Sequence, residues 1–511
     1  MNTQCDNLLN MLFILLFVVF SVVVVIYLYY SWNYNYWKKR GIPHEEPYFF
    51  FGNFKEVLAG KVHFGIPYCD LYKKFENTAY FGFFKLRTPT LVVRDLELIK
   101  EVLTKEFNSF SENELHVEPE QEPILSENPA FLRYGEEWRL RRAYWSSGIT
   151  MNKIKLMFPN MLDKCDIMTT YLNTHCEERP EEPLEVRELA KKYLTDIIVS
   201  SVLGLQVNSF QDDQNAFMRI ASTGFTTDFW EGMINLIFLI APWMHSFYKP
   251  RFLKKNIEED LYNISKNIIA LRKEHGFLKN DVFDEELELK NADEIQTIAG
   301  RVFGFLSEGV ETSSGLISYM LFELASNSHV QTKLREELED AAAENEGKLT
   351  FEKIHSMQYL EMVVLETLRS YPPVLTFNKT CTRSFNMPPA VPGAEPFEVP
   401  VGMTVTIPNY ATQMDPQYFT DPGSFDPERF DEDARKCIPK FAFMPFGEGP
   451  RICVGMRLGL TNAKTCVSTI IRNFELRVAP RTKPKPLPID PNAFATRAVG
   501  NIWLTFHKLS K

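Results

Sequence analysis

One cysteine-containing segment of this 511-residue chain restricts its fold more than any other, and it spans residues 441–459, FAFMPFGEGPRICVGMRLG. It holds a single cysteine, Cys453, among several glycines, and a helical pattern begins directly after it. Glycines permit a tight turn that brings backbone N–H groups towards a sulfur, and the amino terminus of a following helix stabilises a thiolate. The segment therefore predicts a metal-ligating thiolate. The alternative, an inert buried cysteine, is the more common case for a cysteine taken at random.

The remaining cysteines and the overall charge exclude several classes of protein. Seven other cysteines lie singly, with no C-x-x-C pair and no histidine at zinc spacing, so neither a disulfide framework nor a zinc site is expected. Lys and Arg number 56 against 66 Asp and Glu, a formal net charge of -10. A whole-protein electrostatic affinity for nucleic acid is excluded, and no nucleic-acid partner is expected.

The amino terminus carries an apolar run over residues 8–30, interrupted only by Asn10 and Ser21. As a helix it would extend roughly 34 Å, enough to span a bilayer. The preceding residues lack Lys and Arg, which argues against a cleaved signal peptide. An aromatic belt and a basic triplet follow, which place the rest of the chain on the cytosolic side. The belt consists of Tyr27, Tyr29, Tyr30, Trp32, Tyr34, Tyr36 and Trp37, and the triplet of Lys38, Lys39 and Arg40.

The chain is predicted to consist of a membrane anchor (residues 1–37), a basic and proline-containing hinge (38–50) and one large domain (51–511), since no repeat or flexible linker follows the hinge. The fold class is mainly α with small β-sheets. Long helices are predicted over residues 292–325 and 351–371. Strands are predicted in a hairpin over 79–94 that turns at Thr88-Pro89, and over 398–408, 474–478 and 502–507.

Two further motifs place charged side chains at helical spacing. Glu366 and Arg369 form E-x-x-R, which puts the two side chains on one helix face, and Trp138 and Arg142 form W-x-x-x-R. Taken alone, each pattern is also compatible with an ordinary surface pair of little energetic value.

Together these motifs resemble those of the cytochrome P-450 superfamily, in the same order along the chain. The resemblance implies the cytochrome P-450 fold and heme b, iron protoporphyrin IX, with Cys453 as its axial thiolate ligand. Phe446, Gly449 and Gly455 would belong to the heme-binding loop. Arg451, Trp138, Arg142 and Lys379 would bind the heme propionates, with Lys379 standing where the family commonly has arginine. Glu366, Arg369 and Arg429 would lock together beneath the loop.

Residues 307–314, SEGVETSS, resemble the oxygen-activating helix of that family. Glu311 and Thr312 would deliver protons as catalytic residues, whereas the alternative is hydroxyls that hydrogen-bond to the preceding helical turn. Glu308 replaces the usual alanine. In the ω-hydroxylating branch a glutamate at this place can form an ester with a heme methyl. Glu308 is thus a candidate for such a covalent link, for pairing with a cation on the active-site roof, or for an ordinary polar contact.

The phrases FMPFGEGPRIC and GNIWLTF most resemble insect microsomal members that metabolise xenobiotics. The expected function is a monooxygenase that oxidises lipophilic compounds, such as insecticides, plant toxins, hormones or lipids. A heme-thiolate isomerase or dehydratase of peroxides and a non-catalytic heme protein are the alternatives. Candidate cavity residues are Phe107, Phe110, Phe229, Trp230, Val374, Leu375, Phe377 and Ala495, and residues 225–248 are a candidate second membrane contact.

The chain has no flavin or nicotinamide motif, so its electrons must come from another protein. The resemblance implies NADPH–P-450 reductase, with cytochrome b5 as a further partner, at the endoplasmic reticulum (microsomal) membrane with the catalytic domain cytosolic. A local basic face would receive the reductase. Its candidates are Arg141, Arg435, Lys436, Lys440, Arg457 and Lys464.

Overall fold

A computed structural model describes residues 2–223, 252–275 and 293–509 of the chain. The candidate membrane contact at 225–248, including Phe229 and Trp230, lies outside these residues. Helix α1 (Asn2–Ser31) contains a stretch, Asn10–Ser31, with a mean hydropathy of 3.2 and no part buried against the protein. By length and composition, this helix is able to cross a membrane.

Helices make up most of the body, as the hydrophobic periodicity predicts. The further α-helices are α2 (Lys55–Leu58), α3 (Ile66–Lys74), α4 (Leu96–Lys100), α5 (Glu136–Gly148), α6 (Met151–Glu178), α7 (Val186–Ile197), α8 (Ala216–Thr223), α9 (Lys255–His275), α10 (Asp293–Ser326), α11 (Ser328–Ala343), α12 (Phe351–Ser356), α13 (Gln358–Ser370), α14 (Asn409–Gln413), α15 (Glu432–Cys437) and α16 (Met456–Asn473). The predicted long helix, α10, has 34 residues and packs against α7, α8, α9 and α16. It runs through the largest buried cluster and forms one wall of the cavity described below.

The strands form three small sheets. They are β1 (Tyr80–Lys85), β2 (Thr88–Val93), β3 (Glu112–Asn113), β4 (Leu184–Glu185), β5 (Phe377–Thr380), β6 (Phe385–Met387), β7 (Phe397–Val399), β8 (Thr404–Ile407), β9 (Phe474–Val478) and β10 (Trp503–Lys508). The sheet orders are β1-β2-β8-β5-β3, β4-β10-β9 and β6-β7. Strands β1 and β2 form the predicted hairpin, and β9 pairs with β10 in antiparallel register from Phe474↔Lys508 to Val478↔Leu504.

The hairpin turns at a different place from the one predicted. Thr88 and Pro89 belong to β2, where they pair with Lys85 and Phe84, so the turn lies at residues 86–87. Pro89 is tolerated in the strand because the neighbouring strand β8 pairs only with Leu91 and Val92, beyond the proline that lacks an N–H donor.

The helix predicted over residues 351–371 is two helices, α12 and α13. Met357 between them has an extended backbone, with φ -68° and ψ 121°. The carboxylate of Glu337 on α11 accepts hydrogen bonds from the backbone N–H groups of Tyr359 and Leu360, at 2.7 and 2.9 Å. This cap comes from a distant part of the chain and satisfies the first N–H groups of α13, which permits a new helix to begin there.

The assignment of Trp37 to an interfacial aromatic belt is wrong. Its side chain is fully buried, its Nε1 donates to the carbonyl of Phe83 at 3.2 Å, and its ring fills the space beside Gly82 in β1. Tyr36 packs edge-on against Trp37, and Tyr34 packs edge-on against Phe84. The packed body therefore includes residues that precede the basic triplet.

Candidate active site

A cavity of about 440 Å³ lies between α10, α5, strand β5 and the loop that carries Cys453. Its exposed lining is mainly apolar. The predicted site residues that line it are Trp138, Arg142, Glu308, Glu311, Thr312, Lys379, Phe446, Arg451, Cys453 and Gly455. Residues from four separate parts of the sequence thus meet around one space, with Thr312 and Cys453 lining the same cavity.

The cysteine loop has the tight geometry that its glycines predict. The backbone N–H of Cys453 donates to the carbonyl of Phe446 at 2.9 Å, which closes the loop. Gly449 has φ +76°, and a Cβ at this position would overlap the carbonyl oxygen of Leu103. Only glycine combines that backbone conformation with that close approach.

The Cys453 thiol faces the cavity directly before α16, which begins at Met456. Burial and, to a smaller extent, the carboxylate of Glu308 raise the pKa of this thiol, whereas the backbone N–H groups of Gly455 and Met456 and the guanidinium of Arg142 act in the opposite direction. Loop and helix terminus therefore aim positive charge at the sulfur, the environment that a ligating thiolate requires.

Three cations of the described residues line the cavity, and their hydrogen-bond partners are neutral. Arg451 donates to the carbonyls of Ser111, Pro129 and Leu132, at 2.5, 3.2 and 3.0 Å. Arg142 donates to the carbonyl of Ile452, and Lys379 donates to Oδ1 of Asn113 at 2.8 Å. Burial lowers the pKa of Arg451 to about 10 and that of Lys379 to about 7.

Buried cations without carboxylate partners are costly unless an anion joins them. Trp138 extends this group, since its Nε1 donates to the carbonyl of Pro129 at 3.0 Å and its ring lies 4.9 Å from the guanidinium of Arg451. An inward-facing thiol beside three such cations fits a planar metal cofactor with two carboxylate groups, which is the composition of heme. Cys453 would hold its iron, and Arg142, Arg451 and Lys379 its propionates.

The hydroxyl of Thr312 donates to the backbone carbonyl of Glu308 at 2.8 Å. This is the local hydrogen bond to the preceding turn that the sequence left open as the alternative. The residue nevertheless faces the cavity, so the same oxygen can accept a further hydrogen bond from that side.

Glu311 points towards α7 and forms a buried ionic cluster there. Its carboxylate lies 2.6 Å from Nη2 of Arg187 and 3.4 Å from Nζ of Lys191. Arg187 also donates to the carbonyl of Thr496 at 3.3 Å. The sequence analysis missed Arg187 and Lys191, although their i,i+4 spacing, which places two cations on one helix face, was a usable signal.

Glu308 lies one turn before Thr312 and accepts a hydrogen bond from Nδ2 of Asn128 at 2.7 Å. Burial raises the pKa of its carboxyl to about 7. In the part of the chain that the structure describes, no cation forms an ion pair with Glu308, so the pairing with a cation on the roof stays a prediction. The ordinary polar contact is what the structure shows. No pattern in the sequence pointed to Asn128.

The E-x-x-R pair is fully buried and joins two further elements. Arg369 donates to both carboxylate oxygens of Glu366, at 2.7 and 2.8 Å, and Nε of Arg429 lies 3.4 Å from the same carboxylate. Arg369 also donates to the backbone carbonyl of Gln413 at 3.1 Å. The side chain of Gln413 accepts from the N–H of Met444, at 3.3 Å, on the approach to the cysteine loop. The sequence analysis missed Gln413, which links this pair to the loop.

Only part of the candidate cavity set lines the cavity. Val374, Phe377 and Ala495 do so. Phe107 instead packs against Tyr134, Phe110 is fully buried against Phe385, and Leu375 is buried against Gly65. Sequence reasoning missed apolar lining residues on other elements, among them Phe64, Ile198, Phe305 and Phe494.

The predicted basic face is smaller than expected. Lys464 is buried and lies 2.6 Å from the carboxylate of Glu361, so it is not part of a surface. Arg141 is half-buried and paired with Glu127 and Glu137. Arg435, Lys436, Lys440 and Arg457 are exposed.

Comparison with known proteins agrees with this site. A family model described as Cytochrome P450 matches residues 42–504. Cytochrome P450 6j1 from Blattella germanica is 33% identical over 494 residues, which cover 96% of this chain and 97% of that protein. Probable cytochrome P450 28d1 from Drosophila melanogaster is 31% identical, with 96% and 98% covered, and cytochrome P450 9e2 from Blattella germanica is 30% identical, with 97% and 98% covered. The site combines an inward-facing thiol with a cofactor-sized cavity, and the family match covers nearly the whole chain. The protein therefore belongs to the cytochrome P450 family of heme-thiolate monooxygenases.

Proposed function

We propose that this protein is a microsomal monooxygenase that inserts one oxygen atom from dioxygen into lipophilic small molecules, with electrons from NADPH through a reductase. The observation that carries the proposal is the Cys453 thiol, which lines one mainly apolar cavity together with Thr312. Such a lining favours apolar substrates, because burying apolar surface releases about 25 cal/mol for each Å² removed from water. The named relatives support a monooxygenase of the insect type, which is the basis for expecting xenobiotics, hormones or lipids as substrates.

When bound, the heme supplies oxygen activation, and the protein supplies its position and surroundings. Cys453 would hold the iron through its thiolate, while Arg142, Arg451, Lys379 and Trp138 would hold the propionate side. Phe446, Gly449 and Gly455 shape the loop around the sulfur. Glu366, Arg369 and Arg429 act at a distance from the chemistry, because their buried network holds the elements beneath that loop.

Thr312 and Glu311 are the proposed proton-handling residues. The Thr312 hydroxyl faces the cavity and donates a hydrogen bond to the carbonyl of Glu308. It can therefore relay a proton at the cavity surface. The Glu311 carboxylate, on the adjacent residue of α10, contacts Arg187 and Lys191, and it is proposed as the next group that accepts or returns a proton.

The electron donor is proposed to dock on exposed basic residues on the side of the protein that carries the Cys453 loop. Arg435, Lys436, Lys440 and Arg457 are candidates for contacting an acidic face of NADPH–P-450 reductase, and cytochrome b5 is a second proposed partner. The apolar helix α1 is proposed to anchor the protein in the endoplasmic reticulum membrane, with the basic triplet and the body in the cytosol.

The test combines a spectrum with isotope-labelled turnover of the full-length protein in reductase-containing membranes. We expect the reduced carbon-monoxide complex to show a thiolate-ligated signature, and labelled dioxygen to enter the product only when NADPH is present. Cys453→Ser should abolish both. NADPH-independent turnover of peroxides would instead indicate an isomerase or dehydratase, and a heme spectrum without turnover on a lipophilic substrate panel would indicate a binding protein.

A further inference from the structure

Among the described residues, four carboxylates line the cavity, and one of them has no cation within ion-pair distance. Glu114 lies 2.5 Å from Lys85, Glu311 lies 2.6 Å from Arg187, and Glu448 lies 3.9 Å from Lys440. Glu308 is the exception within the described residues, because its contact is the side-chain amide of Asn128. A neutral amide orients a carboxylate but does not balance its charge.

Glu308 also stands in an apolar part of the cavity. Phe305 and Gly309 on the same helix, Trp145 on α5 and Ile198 after α7 line the space with it. In such surroundings an ionised carboxyl lacks the water that would stabilise it, so burial opposes its charge. The three cations on the cofactor side form no ion pair with it. A cation that entered the cavity from solution would therefore stabilise the ionised carboxylate of Glu308, which no cation of the described residues does.

The position of Glu308 relative to Thr312 adds a second constraint. The two residues are separated by four positions of α10, a rise of about 6 Å, and both face the cavity. Asn128 donates to Oε1 of Glu308 at 2.7 Å, and no described residue donates a hydrogen bond to Oε2. A charged group at Oε2 would thus be held one helical turn from the Thr312 position.

We propose that Glu308, oriented by Asn128, forms a binding subsite for the positively charged end of lipophilic ammonium compounds. The apolar walls take up the hydrocarbon part, and the carboxylate selects the charge. This inference rests on the proposed function, which it deepens by naming cationic lipophiles as a preferred substrate class. It also gives a physical role to the glutamate at position 308, where the family usually has alanine.

The test measures binding of a matched ligand pair to the full-length holoprotein. One ligand is 4-phenylbutyl-trimethylammonium, and the other is its uncharged isostere in which carbon replaces nitrogen. A quaternary ammonium has no lone pair to coordinate iron, so its affinity reports the charge alone. Dissociation constants come from equilibrium dialysis and, independently, from the change in heme absorbance. The preference is the ratio of the two constants.

Glu308→Gln removes the charge and keeps an oxygen that can accept from Asn128. We expect this variant to lose about tenfold or more of the preference for the ammonium, with little change for the isostere, as is typical of an ion pair in a partly desolvated site. Glu448→Gln is the matched control, since it removes a cavity carboxylate whose cation, Lys440, is exposed to solvent, and its preference should stay near that of the unmodified protein. An unchanged preference in Glu308→Gln would overturn the proposal.

Acid-acetone extraction of the heme supplies a separate check. Complete release of free heme is expected, because an esterified Glu308 would carry no charge. Retention of heme on the unmodified protein but not on Glu308→Gln would show the ester and refute the subsite. These readouts do not depend on turnover. Oxidation of neutral lipophiles with no ammonium preference refutes the subsite alone, whereas an ammonium preference without any NADPH-dependent oxidation refutes the proposed function alone.

Discussion

At the scale of single residues, the cysteine loop depends on backbone positions that no other side chain can occupy. Gly447 and Gly449 have φ values of +74° and +76°, a region that L-residues with a Cβ rarely adopt. Position 449 needs glycine more strictly than position 447 does, because the backbone of Leu103 leaves no space for a Cβ there. The loop that presents the Cys453 sulfur thus depends on the absence of a side chain as much as on the thiol.

Gly449→Ala should therefore prevent the loop from closing. We expect loss of most heme from the purified protein, because strained φ and a clash with backbone each cost about 1 kcal/mol or more. The ratio of heme absorbance to protein measures the effect. Gly423→Ala is the control, since Gly423 has open space around it and no positive φ, and its heme content should be normal. Equal heme content in both variants would contradict the importance of the Gly449 backbone.

At the scale of elements, the E-x-x-R helix and the cysteine loop are joined through a third element. Gln413, at the end of α14, donates from Nε2 to the carbonyls of Leu368 and Arg369, both at 3.0 Å, and accepts from the N–H of Met444. These bonds satisfy carbonyls at the end of α13, which lack partners within the helix. One fully buried side chain therefore connects the helix to the segment before the loop.

Gln413→Leu should loosen this connection without touching the cofactor. Three buried backbone groups would lose their partners, which we expect to cost about 1–3 kcal/mol for each group that stays unsatisfied. The half-life of heme retention at elevated temperature should shorten clearly. Gln417→Leu, at an exposed position nearby, should leave that half-life unchanged. Equal half-lives for the two variants would show that the connection does not support the loop.

At the scale of the whole molecule, the apolar helix α1 and the folded body meet earlier in the chain than the pattern of charges indicates. Trp32 is 78% exposed and belongs with α1 and its surroundings, whereas Trp37 is fully buried against β1. The exposed Trp32 and the buried Trp37 are only five positions apart in the chain. The body is thus attached through a packed tryptophan, and residues 38–40 follow this contact in a short 3-10 helix.

Trp37→Ala should destabilise the whole body, although the residue precedes the basic triplet. Removing a fully buried tryptophan typically costs about 3–5 kcal/mol, because the cavity left behind collapses only in part. Thermal loss of the thiolate-ligated carbon-monoxide signature should occur at a clearly lower temperature. Trp32→Ala is the matched control and should leave that temperature unaltered. A similar response of both variants would place Trp37 outside the folded core.

Much of the fold was predictable because local patterns carry it. The 34-residue helix α10 and the terminal strand pair follow from hydrophobic periodicity, which depends only on near neighbours in the chain. The break at Met357 was not predictable, because its cause is the carboxylate of Glu337, which comes from another helix. The hairpin turn was misplaced for a similar reason, since whether Pro89 can lie in a strand depends on which residues of β2 the neighbouring strand pairs with.

The sequence by itself determined the loop around Cys453, the spacing of Glu366 and Arg369 and the apolar amino-terminal helix, since each depends on residues close together in the chain. Only the tertiary structure decided that Glu308 contacts Asn128, that Glu311 contacts Arg187, and that Lys464 is buried. These contacts join residues that are about 100 or more positions apart. The physical reason is that charge compensation and burial depend on distances in space, which helix and strand patterns do not contain until the chain has packed.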